Sequence, residues 1–344
     1  MKRIKIARKV FEKGVGILDK VVGSVEPINR RVYFYTKKGL LLAYASDGCL
    51  SASVALGRAE EFEDFYVAPL DNLKLLIKGR NEDVEMRFSN KFEIVTGPEY
   101  MVITHPYARD PRKKGAFAAK IEVNRREFCH TLDRGSIILR EGQEVIVGAR
   151  NGRFFLLCEE NAHVSAAFMN ISMDEFLARV PYESVRHLLK ALEILSQEKI
   201  IIGNSKDFIG LKFSYGIMTM CKLDATDVNP KDVENFLKFG ESRGIQVERK
   251  LLKEGASLSS KFHRKSGGRG YIEFSDKLRI GVLSSYSAYE YSRPIDTTLK
   301  AKFPILPVKL NQFLSRIPDR KITVTVRNNT LLFIAKNAIF AVKK

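Results

Sequence analysis

One alternation of apolar and polar positions occurs three times along this chain. Ala68 to Phe88, APLDNLKLLIKGRNEDVEMRF, sets a proline before a short helical pattern with Leu73, Leu76 and Ile77 on one face, then a polar turn and a period-two strand. Val180 to Ile202 repeats the plan with Pro181, then Val185, Leu188 and Leu189, a turn at Ser196–Lys199 and the strand Ile200–Ile202. Leu306 to Val326 repeats it again with Pro307, then Leu310, Phe313 and Leu314, a turn at Pro318–Lys321 and the strand Ile322–Val326. Proline fits the first helical turn, where its missing N–H has no partner to lose. The three prolines stand about one third of the 344-residue chain apart. That period predicts three copies of one domain, because solenoid repeats run only about 20–50 residues.

The flanking pattern fills in each copy. Lys2–Ala7 alternates as a strand, and Lys9–Val22 reads as a helix with Val10, Phe11, Val15, Leu18 and Val22 on one face, weakened by Gly14 and Gly16. Strands follow at Arg31–Thr36, Leu40–Ala45 and Leu50–Leu56, the last two joined through Asp47-Gly48, a hairpin signal. The repeated helix and the strands Val84–Phe88, Phe92–Thr96 and Tyr100–Thr104 complete the first copy. The second copy has its first helix at Asn124–Arg134 and the third at Arg249–Lys265. His105–Lys114 and Asp224–Gly244 read as linkers, the second partly helical. The expected domains are 1–114, 115–228 and 229–344, each a strand, a helix and three strands, then the same again. Six helix-plus-antiparallel-sheet halves make an α+β fold.

Composition adds a partner class. Fifty-eight Lys and Arg against 40 Asp and Glu leave +18, and the last third carries 23 basic against 10 acidic residues. Such an excess favours a polyanion, nucleic acid or an anionic membrane. No apolar run reaches the length of a membrane span, and the cations are spread over short helices with no bulky apolar face left for lipid, so the expectation is nucleic acid in the cytoplasm. Cys49, Cys129, Cys158 and Cys221 stand far apart, which suits free thiols in a reducing compartment. Catalytic signatures are missing: there is no Walker-type loop, Gly14-Val15-Gly16 lacks the third glycine of a dinucleotide fingerprint, and His105, His130, His163, His187 and His263 have no metal spacing. No enzyme, cofactor or metal is expected.

Each predicted helix bears cations beside its apolar face. They are Lys9, Lys13 and Lys20; Lys74 and Lys78; Arg125, Arg126 and Arg134; Arg186, His187 and Lys190; Lys250, Lys253, Lys261, Arg264 and Lys265; Lys309 and Arg316. Any one of these reads more readily as a solvated lysine or arginine, but their recurrence on all six helices suits phosphate contact that reads no bases.

Over essentially its whole length the pattern resembles the bacterial processivity clamp family, the beta subunit of the replicative DNA polymerase. Phe65-Tyr66-Val67-Ala68-Pro69 before Leu73 and Leu76 looks like that family's strand entering its second helix. Leu42–Gly48 resembles its apolar strand ending in an acidic turn, and Cys158–Ala166, CEENAHVSA, its second-domain turn, with His163 on a histidine common there. The resemblance implies a homodimer closed head to tail around duplex DNA, a tethered DNA polymerase and a clamp loader. It implies a partner pocket at His163, Phe340 and Val342, and a dimer joint at Tyr100, Val102 and Phe262. Departures are the basic charge, Val164 and Ser165 where the family tends to carry Arg and Leu, and a C-terminus without the usual Met-rich close. Strong charge further suggests a ring that reaches DNA without a loader; the rival expectation is a basic DNA-binding module that does not form a ring.

Overall fold

The computed structural model describes residues 2–23, 30–79, 81–112 and 119–344. The expected boundary after Lys114, with the end of the first linker, lies outside them. The first third folds as β1 (Lys2–Ile6), α1 (Arg8–Val22), β2 (Arg31–Lys37), β3 (Leu40–Ser46), β4 (Leu50–Arg58), β5 (Phe65–Pro69), α2 (Leu70–Ile77), β6 (Val84–Phe88), β7 (Phe92–Thr96) and β8 (Glu99–Ile103). A two-residue strand, β9 (Tyr107–Ala108), follows in the linker. The second third is β10 (Ala119–Asn124), α3 (Arg125–Gly135), β11 (Glu144–Arg150), β12 (Arg153–Glu160), β13 (His163–Asn170), β14 (Phe176–Pro181), α4 (Tyr182–Glu193), β15 (Lys199–Asn204), β16 (Phe208–Phe213) and β17 (Gly216–Cys221). After the linker helix α5 (Pro230–Lys238) come β18 (Ile245–Glu248), α6 (Arg249–Ser266), β19 (Arg269–Phe274), β20 (Lys277–Leu283), β21 (Ala288–Pro294), β22 (Ala301–Pro304), α7 (Pro307–Arg316), β23 (Lys321–Arg327), β24 (Thr330–Ala335) and β25 (Ala338–Lys343). The threefold strand–helix–three-strand plan is therefore present, twice in every third.

Periodicity fails in one detail of α1. Phe11, Val15, Leu18 and Val22 are buried as expected, but Val10 is 43% exposed, because a neighbour of Phe11 points about 100° away from it round the helix. Gly14 is there for closeness: a Cβ on it would lie 2.7 Å from the Leu56 side chain on β4.

The backbone packs into two compact units, and the division cuts through the middle third. One unit, Met1–Arg126 with Glu183–Leu223, holds a four-stranded sheet β1-β6-β7-β8 and a nine-stranded sheet β10-β15-β16-β17-β4-β3-β2-β5-β9. The other, Glu127–Tyr182 with Asp224–Lys344, holds an eight-stranded sheet β14-β11-β12-β13-β25-β24-β23-β18 and a four-stranded sheet β21-β20-β19-β22. Each large sheet is two small ones fused along an antiparallel seam. In the first seam β4 pairs with β17 from Leu50↔Met220 to Val54↔Gly216. In the second, β13 pairs with β25 from His163↔Val342 to Ala167↔Ala338. Both follow one rule: the fourth strand of a third lies beside the eighth strand of the next.

The expectation of four free thiols is overturned. Cys49 and Cys221 form a disulfide across the first seam, while Cys129 and Cys158 are free. The two partners are 172 residues apart, and only the pairing of β4 with β17 brings their Cα atoms to 4.8 Å. Local cysteine spacing carries no trace of such a pair.

Candidate nucleic-acid interface

The expected cations divide sharply once the helices are packed. Lys9, Lys78, Arg126, Lys190, Lys250, Lys253, Lys261, Arg264 and Lys265 point away from the sheets, and among the described residues their side chains enter no ion pair or hydrogen bond. α6 gathers five of them. Its buried stripe is Leu252, Gly255, Ala256, Ser259 and Ser260, and at 100° per residue Lys250, Lys253, Lys261, Arg264 and Lys265 all fall on the opposite half. On α1, Lys9, Lys13 and Lys20 share the outward face in the same way; Lys13 also reaches Ser196 Oγ at 3.2 Å and lies over the Tyr215 ring, and Lys20 approaches Asp19 at 3.9 Å. Arg186 is half-exposed on the outward side of α4, with Lys190 one turn on.

Other members of the expected set are committed to the fold. Lys309 is a correction: it is 4% exposed, bonded to Glu160 and to the carbonyl of Ile138, and cannot meet phosphate. Lys309 stands one helical turn before the buried Phe313, so its side chain falls on the buried face of α7, towards Glu160 of β12, instead of solvent. Arg125 donates to the carbonyls of Gln197 and Leu192 at 2.8 and 2.9 Å, satisfying the last turn of α4. Lys74 bonds Asp19 at 2.8 Å, and Arg316 bonds Asp133 at 2.7 Å. Arg134 donates to the Arg316 carbonyl at 3.1 Å, and burial lowers its affinity for the proton. His187 is buried, with Nδ1 3.1 Å from Asp47 Oδ2, which Ser184 Oγ also meets at 3.2 Å. The sequence marks Asp47 only as a hairpin residue; its second role is to anchor α4 to the β3–β4 turn.

The expected partner pocket at His163, Phe340 and Val342 is also corrected. All three are core: Phe340 stacks on Phe313 at 5.4 Å, Val342 is fully buried, and His163 Nε2 accepts from the Leu306 N–H at 3.0 Å. Burial, with Lys309 nearby, lowers the His163 pKa from 6.5. A cleft of about 470 Å³ opens beside them instead, with apolar lining from Leu157, Val164, Val228, Val233, Phe236 and Phe239 and polar lining from Glu159, Arg179, Asp227, Asp232 and Lys343. Sequence reading missed α5's part in it, although Val233, Phe236 and Leu237 already have helical spacing.

Of the residues expected at a dimer joint, two lie on a sheet edge and the third packs against one. Tyr100 and Val102 are exposed on β8, the edge of the first four-stranded sheet, Tyr100 by 69%. Phe262, on α6, stacks on Tyr289 of β21 at 5.4 Å, and β21 is the edge of the last four-stranded sheet. Leu75 and Val102 on one side, and Leu258, Leu283 and the 98% exposed Tyr286 on the other, are further exposed apolar groups near these edges.

Among the described residues no group of His, Cys, Asp and Glu could hold a metal ion, and no helix is long and apolar enough to cross a membrane. No protein-family profile and no curated protein matches the sequence. Solved structures match the fold along the whole chain. A DNA polymerase III beta subunit from Thermotoga maritima superposes with TM-score 0.81 at 15% identity, covering 100% of this chain and 99% of its own. A DNA polymerase sliding clamp from Pseudomonas aeruginosa gives 0.80 at 14% identity, with 100% and 99% covered. The C. crescentus beta sliding clamp gives 0.82 at 13% identity, with 99% and 98% covered. The chain thus has the sliding-clamp fold, α+β and mostly antiparallel.

Proposed function

We propose that this chain is a sliding clamp built of three domain copies. Two chains close head to tail into a ring around duplex DNA, bind it without reading sequence and tether a DNA polymerase, with no catalytic step. The observation that supports this reading is the seam rule. Fourth strand meets eighth strand twice within the chain, and the strands left over are the fourth of the last third, β21, and the eighth of the first, β8. Applied once more, the rule pairs β21 of one copy with β8 of another.

The rule also fixes a register. In the first seam Ser51, which follows the four-residue turn Asp47–Leu50, faces Thr219, three residues after Gly216 opens β17. β21 likewise follows a four-residue turn, Ser284–Ser287, and β8 opens at Glu99. The same offset sets Ala288 against Val102 of a second copy, Tyr289 against Met101 and Glu290 against Tyr100. Opposed residues share a face of a sheet. Tyr289 pairs with buried Val282 and Met101 with buried Ile94, so both belong to the helix-covered side, where Phe262 stacks on Tyr289.

The outward cations of α1, α4 and α6 supply phosphate contact, and the cleft beside α5 receives an apolar peptide of the polymerase. With +18 per chain, a pair carries +36, twice that value. Attraction to DNA is then strong, and like charge opposes closure until DNA screens it, so the ring loads without a loader. The protein works where the DNA is, in bacterial or host-cell cytoplasm at the nucleoid. Native mass and retention on DNA test the reading: a dimer is expected, held on circular duplex and lost from the ends of linear duplex. A monomer that adheres equally to both forms would favour a basic binding module without a ring.

A further inference from the structure

The two seams within the chain are closed by different means. The second is buried on both faces: α5 and the segment after it cover Leu157, Val164, Ala166, Ile339 and Ala341 on the side away from α7. Among the described residues no helix packs on the outward side of the first, where the linker residue Arg112 lies over the Tyr35 ring at 4.1 Å and Pro111 borders the cysteines. The same side carries hydrogen-bonded hydroxyls, Ser51 Oγ to Thr219 Oγ1 at 2.6 Å and Tyr35 to Ser53 at 3.0 Å; Ser51, Ser53 and Thr219 expose part of their surface, while Tyr35 is buried. Where β17 ends, the Cys221 N–H donates to the Cys49 carbonyl at 3.0 Å, and the two sulfurs are bonded. The equivalent backbone bond in the second seam runs from Lys343 to Ala162, with no thiol on either residue. A covalent bond therefore stands at the seam on whose outward side, among the described residues, no helix packs. Both cysteines are half-buried and line a cleft of about 230 Å³ together with Arg31, Tyr44, Asp207 and Phe208.

We infer that Cys49–Cys221 is a thiol–disulfide exchange site whose state sets the strength of the first seam. Its setting rests on the proposed cytoplasmic function, because disulfides in reducing compartments are usually transient or redox-sensing. Its chemistry rests on this chain alone. A dithiol reductant attacks one sulfur as thiolate, forming a mixed disulfide and releasing the other cysteine, which takes up a proton. The second thiol of the reagent displaces the remaining cysteine and leaves as a cyclic disulfide, so two electrons and two protons pass to the protein. The reduced seam keeps its strand pairing, the Ser51–Thr219 hydroxyl bond, the buried Ala52 and Met218 on its inner face, and the Asp47 hydrogen bonds to His187 and Ser184.

Thiol counting and amide exchange on the isolated chain, without DNA, test this apart from the clamp reading. Denatured without reductant, the chain takes up two iodoacetamide labels, at Cys129 and Cys158. A brief treatment of the native chain with dithiothreitol adds labels at Cys49 and Cys221. Amide exchange at residues 50–54 and 216–220 then quickens by on the order of 100-fold. The Cys49→Ser/Cys221→Ser variant shows the fast exchange with or without reductant. Four labels without reductant, no added label on the native chain, or exchange unchanged by reduction would each overturn the inference.

Discussion

At the scale of single residues, charge is decided by burial. Lys309 and Lys265 are both lysines on cationic helices, yet one is sealed against Glu160 and the other projects freely. Removing one partner of a buried ion pair strands the other, at a cost of about 3–5 kcal/mol. Lys309→Met should lower the denaturant midpoint accordingly, and adding Glu160→Gln should recover much of it; a variant as stable as the parent would show the pair to be exposed in solution. His163 gives a pH dependence. Its folded pKa lies below the unfolded value of 6.5, so the unfolded chain binds more protons between the two. The stability from neutral His163 is complete above 6.5 and is lost as the pH falls from there through the folded pKa. Denaturation midpoints should decline below pH 6.5 in the parent and less steeply in His163→Gln. Sequence identified His163 as notable but could not tell a pocket wall from a core histidine, since both want an apolar neighbourhood.

Secondary-structure elements separate two kinds of function in one domain. α6 buries small residues, Gly255, Ala256, Ser259 and Ser260, and so lies close to β20 and β21 while presenting cations outward. Every cation withdrawn from a phosphate lowers the salt dependence of DNA affinity by about 0.9 in log–log slope. Alanine at Lys250, Lys253 and Lys261 together should flatten the slope by up to about 3, whereas Lys309→Met should leave it unchanged. Binding isotherms at several salt concentrations read both. The proposed joint is a matter of strand edges and one aromatic pair. Phe262→Ala removes the ring on Tyr289, and Val102→Asp places a charge on the facing edge; each should raise the dimer dissociation constant at least tenfold by sedimentation equilibrium. An unchanged constant would move the joint elsewhere. The cleft beside α5 has its own test: Phe236→Asp should abolish capture of an apolar polymerase-tail peptide, because an unpaired charge in an apolar pocket is costly.

For the whole molecule, the net charge of +18 governs how the proposed ring would meet DNA. Retention on circular duplex without any other protein should fall steeply with salt, and blocking the ends of linear duplex should restore retention there. Equal loss from circular and open linear DNA would exclude topological linkage. Closure by like-charged partners should also be weaker in low salt when DNA is absent, which native mass at two ionic strengths reads directly.

Every long element was legible from the amino-acid sequence because helix and strand periods are local. Pro181 before α4 and Pro307 opening α7, the Leu310–Phe313–Leu314 stripe and the Asp47-Gly48 turn each specify structure within a few residues. The threefold repeat followed from spacing, and the proposed class of partner rests on charge. Pairing across a seam is different, since nothing local links Cys49 to Cys221, Asp47 to His187 or Lys309 to Glu160, which are brought together over more than a hundred residues. Which helical cations remain free, which histidine is core and which strands are left as edges all depend on those long-range pairings. The sequence determined the elements and the order of the copies; only tertiary packing decided which side of each element faces solvent, because burial is a property of neighbours distant in the chain.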